Sequence, residues 1–546
     1  VADPRTGGSP ERSPAVVVEP SPGAIGQEPG IDSGAPGRGP SSATPSGIDH
    51  AILGLDVVQS VQNALKLGIG LMGTWAVALA IRLALPRLLG PAPFGELQFA
   101  DAFTTTAFIV TSLGVETYVR KEIATRREHA SDFFAGTMLL GLVMGGLVMS
   151  LSVVGLRMAG KPEGVLQLVM IMGVAQILTN LNAIYAALLH AIGRVSGLTF
   201  LNVGSKLLWG VGIAATLSAG YGVRGVAYSM LLAELVRTIV LAVLARRHLA
   251  LTLRIDARKS WLVLVASLPF FVGGVAQTIY ARIDVSIMSF LATDTEVGWY
   301  GAASTLAGIS LLLSPLISWV LLPLTSRAAA RSEAELLLVA RRAMEMVLVA
   351  ACPVSLFLFV GSDVLIGLAF GEAFAPAERS LRILAPTFVL TYAAMVSASL
   401  LVRLERGWAV TWVSMSGMVI APILNLTLVP IFFTRYGAGG AGMGAATALT
   451  LTELVTASAM TWLLRVQAFD RRTAVVLLKT FGVGFVVIGA DLAMREQGWG
   501  GWRLLLDGAL YLGGVVAWGA LDVRAGVALT RSAIASRRGA AAAALP

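Results

Sequence analysis

From Leu65 to about residue 523 the chain is a succession of apolar runs separated by short breaks. Each run is about 20 residues long, the length a helix needs to cross a hydrocarbon core of about 30 Å. Inside lipid every backbone polar group has to be satisfied within the protein, which leaves helices or closed barrels as the spanning structures. The runs fall at 65–86, 97–119, 132–156, 165–189, 197–218, 225–245, 261–291, 298–324, 343–361, 381–402, 408–433, 441–464, 473–494 and 502–523. The predicted fold is therefore an all-α integral membrane protein with about fourteen transmembrane helices. The seventh run is long enough to tilt or break, near Pro269. A charged fraction of 13% and a mean hydropathy of +0.77 agree, because a soluble domain carries about 25% charged residues.

The segments outside the runs differ in kind. Residues 1–50 are rich in Pro, Gly and Ser and poor in aliphatic clusters, so they bury too little apolar surface to offset ordering entropy and are expected to be a disordered cytoplasmic tail. They lack a basic n-region followed by an apolar h-region, so they do not read as a signal peptide. Basic residues gather in alternate connections: Arg120, Lys121, Arg126 and Arg127; Arg194; Arg246, Arg247, Arg254, Arg258 and Lys259; Arg327, Arg331, Arg341 and Arg342; Arg403 and Arg406; Arg465, Arg471 and Arg472. The other set, including 293–296 and 363–378, is poor in them. The positive-inside rule then places the first set, and both termini, in the cytoplasm. Trp261, Trp299, Trp408, Trp499 and Trp502 stand near predicted helix ends, as an aromatic belt requires.

Two patterns recur. Phe94-Gly95-Glu96 opens the second run and Val297-Gly298-Trp299-Tyr300-Gly301 opens the eighth. Tyr221-Gly222-Val223-Arg224-Gly225 followed by Glu234-Leu235-Val236 matches Tyr436-Gly437-Ala438-Gly439-Gly440 followed by Glu453-Leu454-Val455. Both pairs are offset by a little over 200 residues, which corresponds to a repeat of roughly six helices. An even number preserves orientation, so the halves are parallel repeats about an axis along the membrane normal. The expected organisation is an N-terminal six-helix lobe at 51–260, a C-terminal six-helix lobe at 261–466, a central cavity between them, two additional helices at 467–525 and a cytoplasmic tail at 526–546.

Charges inside the runs mark the candidate site. A charge at the bilayer centre costs roughly 2.5–3.5 kcal/mol on insertion scales, so such residues usually face a cavity or one another. Arg282 and Asp284 lie in the seventh run, two residues apart, so they point about 200° apart on a helix and do not pair locally. Arg282 either faces the cavity or snorkels to the surface. Asp284 either finds a partner on another helix or takes part in ion coupling. Arg82 maps through the repeat onto the same helical face as Arg282, and Lys206 sits in the middle of the fifth run. Lys66 faces the cavity or anchors the first helix at the interface. Asp101 is the acid in the second helix best placed for coupling. Glu234 pairs with Arg237 three residues on; Glu453 repeats it without the arginine. Asp491 and Asp507 lie outside the repeat and read as structural. Gln176, Asn180, Asn182, Asn202, Gln277 and Asn425 line the cavity or hydrogen-bond between helices.

Arg87-Leu88-Leu89-Gly90-Pro91-Ala92-Pro93-Phe94-Gly95, Leu113-Gly114-Val115-Glu116 and Arg120-Lys121-Glu122-Ile123-Ala124 resemble the first helical hairpin of the polysaccharide biosynthesis family. Tyr280-Ala281-Arg282-Ile283-Asp284 with Gly298-Trp299-Tyr300-Gly301, then Phe370-Gly371-Glu372-Ala373-Phe374 with Leu381-Arg382-Ile383-Leu384-Ala385-Pro386, and Arg435-Tyr436-Gly437-Ala438-Gly439-Gly440, resemble later segments in the same order. That family holds Wzx-type O-antigen flippases, within the superfamily of multidrug, oligosaccharidyl-lipid and polysaccharide exporters. The resemblance implies a multi-pass protein of the bacterial cytoplasmic (inner) membrane that flips an undecaprenyl-pyrophosphate-linked oligosaccharide by alternating access. It implies membrane lipids as surroundings and a polysaccharide polymerase with its chain-length machinery as partners. In that reading Arg282, Arg82, Lys206 and Lys66 form a cationic cavity for the pyrophosphate, and Asp101 and Asp284 are coupling candidates.

Other chemistry finds little purchase. The single Cys352, in an apolar run, reads as a buried small hydrophobe. His129, His190 and His248 have no metal-ligand spacing, and no GxxxxGK[ST] stretch occurs. No cofactor or metal is expected, nor any nucleic-acid partner; a proton or sodium gradient, or the membrane potential, would drive transport. A cation-coupled exporter of small drugs is the alternative on the same architecture. A membrane-bound polymerase or ligase is disfavoured, because no loop on the outer side exceeds about 20 residues and such enzymes place their catalytic groups on large ones.

Overall fold

A computed structural model describes residues 73–116, 118–119, 130–192, 195–248, 256–313, 325–464 and 471–519. Among these residues there are helices and turns and no strand. We number the main helices α1 (73–89), α2 (Pro91–Ala107), α3 (Ala130–Met158), α4 (Glu163–Ala191), α5 (Val195–Ser218), α6 (Gly222–His248), α7 (Ala257–Leu291), α8 (Asp294–Ile309), α9 (Glu333–Val360), α10 (Ser362–Phe370), α11 (Ala377–Leu384), α12 (Thr387–Arg403), α13 (Gly407–Tyr436), α14 (Gly440–Leu463), α15 (Arg471–Glu496) and α16 (Arg503–Ala517). Each apolar run read from the sequence is helical over most of its described residues.

Among the described residues seven of these helices are long and apolar enough to cross a membrane on their own, α11 and α12 taken together make an eighth span, and bent α7 counted as one span a ninth. The others fall short of the expected fourteen for physical reasons. The described parts of α1, α2, α8 and α16 are too short, and α14 is diluted by Gly, Thr and Glu453. The seventh run bends by 54° between 257–268 and 271–291, where the sequence placed a break. The second run does not continue as one helix: α2 gives way to a 3₁₀ segment at Phe108–Ser112.

The helices form two groups. In the first, α4 and α5 pack on α6, and α2 and α3 pack on α4. In the second, α12 and α13 pack on α14, α7 on α13, α9 on α12, and α11 on α8 and α14. The groups meet where α2 lies against α7 and α8, and where α3 lies against α7. At the end carrying the basic connections each group has its own buried cluster. One contains Val115, Phe134 and Leu188, with Val263 of α7; the other contains Leu336, Met344 and Leu400. At the opposite end a single cluster runs through both groups, from Phe99 and Leu168 to Tyr300 and Phe374.

The α2–α8 contact relates the two repeats directly. A Cβ on Gly95 would stand 1.7 Å from the Asp294 carbonyl oxygen, and a Cβ on Gly298 2.0 Å from the Pro91 carbonyl oxygen. The two clashes are the same clash seen from either repeat, with matching offsets, as expected at a pseudo-two-fold axis. The repeat glycines noticed in the sequence are therefore each other's contact, and only an absent side chain permits the approach.

The last two helices dock on the second group through charge. Arg503 donates from Nε to Asp491 at 2.8 Å and from Nη2 to Asp363 at 2.6 Å; Arg495 donates from Nε to Asp491 at 2.6 Å and from Nη2 to Asp363 at 3.1 Å. Arg503 and Asp491 are buried. Removing one member leaves an uncompensated buried charge, so Arg503→Met is expected to destabilise the purified protein by about 3–5 kcal/mol in thermal unfolding. Asp363, in the first turn of the short helix α10 and outside the apolar runs, adds a pH dependence. Burial pushes its carboxyl up, but the hydrogen bond from Arg503 and the Arg495 charge outweigh it and hold it below the usual carboxylate range. Its contribution is therefore complete above the unfolded-state value of about 3.9 and lost as pH falls through the lower folded value. Asp363→Asn should flatten that acid limb of a stability–pH curve. Cys352 is buried among Val483, Val487, Tyr511 and Val515.

Candidate functional site

A cavity of ≈ 510 Å³ lies between the two groups, lined from α1, α2, α5, α7 and α8 by Arg82, Gln98, Asp101, Lys206, Trp209, Arg282, Asp284, Tyr300, Ser304 and Thr305. Apolar residues including Phe94, Met172, Leu384 and Phe388 complete its wall. Five of the six residues singled out in the sequence are here; Lys66, like the tail at 1–50, lies outside the described residues.

Arg282 stands nine residues before the end of α7, about 13 Å of helix. It turns inward rather than snorkelling: its Nη1 is 3.5 Å from Asp101 Oδ2 on α2, an ion pair between the two groups. Both partners are about one-third exposed, at 31% and 33%, so each stays accessible from the cavity. Arg282 and Asp284 face different partners, as their spacing required. Asp284 is buried; it accepts hydrogen bonds from the Tyr300 hydroxyl and, at 2.8 Å, from the Val285 backbone N–H.

Arg82 and Lys206 come from the first group. Among the described residues no carboxylate pairs with either. Lys206 Nζ lies 5.2 Å from the Trp209 ring centroid, within cation–π range. Two guanidinium groups and an ammonium thus share one cavity with one carboxylate engaged by Arg282 and another held by Tyr300. Such a set accepts an anion, because Arg presents a planar fork to phosphate and carboxylate oxygens and Lys a mobile point charge.

Several uncharged polar residues do not line it. Asn180 donates to the Phe108 carbonyl at 2.9 Å, Asn182 to Glu234 Oε2 at 2.9 Å, and Asn425 to the Ala421 carbonyl at 2.9 Å. Asn202 accepts from Arg237 at 3.0 Å, and Arg237 also reaches Glu234 at 3.5 Å. The Asn180, Asn182 and Asn202 bonds tie neighbouring helical segments together, whereas that of Asn425 stays within α13. Glu453, lacking that arginine, instead accepts from the Tyr280 hydroxyl at 2.7 Å. The Trp299 indole N–H donates to the Ala373 carbonyl at 2.8 Å.

Gln98, Ser304 and Thr305 went unnoticed in the sequence, yet a signal was there. Gln98 is one turn before Asp101, and Ser304 is the counterpart of Asp101 in the repeat, so the two halves present the same helical face to the cavity.

The profile of the polysaccharide biosynthesis protein family matches residues 84–379, more than half of the chain and most of the cavity wall. The chain belongs to the polysaccharide biosynthesis protein family. Among curated proteins it is similar to the probable low-salt glycan biosynthesis flippase Agl15 of Haloferax volcanii, 23% identical over 373 residues, spanning 68% of this chain and 76% of that one. Its fold is similar to that of the lipid II flippase MurJ in an inward closed conformation, with a TM-score of 0.67 and 14% identity over 84% of this chain and 99% of that one. An inward-facing multidrug resistance MATE family transporter of the MOP superfamily gives a TM-score of 0.58 and 15% identity over 72% and 95%. This member of the family therefore shares the fold of multi-pass membrane transporters.

Proposed function

We propose that the protein is a flippase that moves a lipid-linked oligosaccharide carrying an anionic pyrophosphate across the cytoplasmic membrane, for assembly of a surface polysaccharide. The observation that carries this reading is the convergence of Arg82, Lys206 and Arg282 on one cavity between two helix groups. The pyrophosphate binds those cations, the sugars occupy the polar wall at Gln98, Ser304 and Thr305, and the lipid chain stays in the bilayer. The lobes at 51–260 and 261–466 rock about the α2–α8 seam, exposing the cavity to one side at a time. The basic connections face the cytoplasm, with both termini.

Asp101 is the internal competitor in this scheme. It occupies Arg282 when no cargo is bound and is released when pyrophosphate takes its place. Asp101 and Asp284 are the carboxylates through which a proton or sodium gradient would act. The similarity to a probable low-salt glycan biosynthesis flippase supports a flippase, and the excess of cations in the cavity favours an anionic cargo over the cationic drugs of the alternative reading. The deciding experiment deletes the gene and measures lipid-linked glycan in each leaflet of the cytoplasmic membrane. Accumulation on the cytoplasmic face with loss of the surface polymer is expected; unchanged distribution removes the flippase reading.

A further inference from the structure

Lys161 stands on the connection between α3 and α4, is not one of the residues that line the cavity, and has its backbone fixed by a turn. Gly160 has φ +72° and donates to the Arg157 carbonyl at 3.0 Å, and the Lys161 N–H reaches back to the Leu156 carbonyl at 3.0 Å. This is the six-to-one bond of a Schellman turn ending α3. Pro162 follows at φ −64° and starts α4. The turn leaves Lys161 a fixed base from which to project its side chain.

The side chain crosses to the other group of helices. Its Nζ donates to the Ser289 carbonyl at 2.5 Å and lies 2.9 Å from Ser289 Oγ, at the end of α7. The same ammonium sits over two rings, 4.9 Å from the centroid of Phe99 on α2 and 5.0 Å from that of Phe290 on α7. Those rings meet edge-to-face at 5.7 Å. One cation therefore joins three elements, two of them from the first group and one from the second, beside the Gly95–Gly298 seam. Asp294, at the start of α8, is the nearby charge that favours the ammonium, against the burial that lowers its pKa.

We propose that Lys161 is a positioning residue for transport: a latch that holds the two lobes together at the end opposite the basic connections, and that has to let go before the cavity opens there. This rests on the alternating-access reading above. Both hydrogen bonds to Ser289 and the contact with the Phe290 ring run between lobes, while the Phe99 contact stays within the first, so parting the lobes breaks two hydrogen bonds and half of the aromatic cradle at once. Neither ring nor serine needs a cation to fold, so the cost of losing the lysine falls on the closed state alone.

The test uses the full-length protein with Cys352→Ala and Ser304→Cys, which leaves a cavity thiol as the single reporter. A membrane-impermeant maleimide is added to intact cells, and labelling is compared with that of inverted vesicles. Lys161→Met is expected to raise labelling from outside on the order of tenfold, the size of one good cation–π or charge-assisted contact, and to lower it from inside. Lys161→Arg, which keeps the cation, should stay near the parent. Phe290→Leu, which removes one ring and leaves the lysine, should fall between them and guards against misfolding of the first variant. Outside labelling of Lys161→Met and Phe290→Leu no faster than the parent overturns the latch. Glycan export in a deletion strain is scored in parallel, with Ser304 and Cys352 left intact and the same Lys161 and Phe290 substitutions. Faster labelling by variants of a protein that does not restore export keeps the latch and removes the flippase reading; restored export with unchanged labelling does the reverse.

Discussion

Arg282→Ala is expected to abolish export of the surface glycan while the protein still inserts and accumulates. The arginine is the one cavity cation supplied by the second group, and it meets the first group through Asp101 at 3.5 Å. Truncation removes a charge-assisted contact to the cargo, worth about 1.5–3 kcal/mol, or roughly 10- to 150-fold in transport rate. It also leaves Asp101 without its Arg282 partner in a cavity that, on the proposed function, takes phosphate, so the carboxylate would repel that cargo and push the effect to the upper end. Arg282→Lys should recover part of the loss, because the charge remains while the two-pronged geometry goes. Asp101→Asn should have the opposite character, with tighter cargo binding and slower release. The measurement is surface polymer per copy of membrane-inserted protein in a deletion strain. Normal polymer with Arg282→Ala would take that residue out of the site and leave Arg82 and Lys206 to carry it.

The second large effect is steric. Gly95→Ala or Gly298→Ala puts a methyl group within 2.0 Å of a backbone oxygen on the facing helix, and neither backbone is free to yield. Overpacking of this kind costs typically about 1–3 kcal/mol. Here the cost falls on the state in which α2 and α8 touch, so both variants should unfold at lower temperature. The double variant should lose less than the sum, since parting the helices once relieves both clashes. Gly146→Ala on α3 is the control, because its Cβ meets nothing within 4 Å. It should be neutral or stabilising by up to about 1 kcal/mol through helix propensity. Equal Tm values for Gly95→Ala and Gly146→Ala would show that the seam is loose.

These two effects differ in how visible they were in the sequence. Arg82, Lys206 and Arg282 were legible because a full charge in an apolar run is costly enough to need an explanation. The Gly95 and Gly298 motifs were legible as a repeat, but not as a contact, since a periodic offset carries no information about which faces meet. The amides were readable either way, as cavity lining or as hydrogen bonds between helices, for the converse reason: an Asn that donates to a helix carbonyl, as Asn425 does to Ala421, looks identical in sequence to one that faces a cavity. Lys161 was invisible: a lysine in a short connection is what any solvated loop carries, and only Phe99, Phe290 and Ser289 make it something else. The 3₁₀ segment after α2 and the short α10 and α11 escaped because apolar composition marks depth, not the path of the backbone.

Glu296 has a consequence for how the chain is made. Its carboxylate accepts from the backbone N–H groups of Gly439 at 2.6 Å, Ala441 at 3.1 Å and Gly442 at 3.4 Å, and Gly439 is 143 residues downstream. At the usual pace of synthesis, about 5–20 residues per second, those partners emerge roughly 7–30 s after the glutamate does. Over that interval α8 is in the membrane with an acid at its head and no donors to receive it. The half-finished chain therefore waits through this interval with its seam glycine already in place. An insertion factor that shelters α8 until α14 arrives would shorten the exposure, and the rate of ribosome passage between these two helices would set how often the protein is lost.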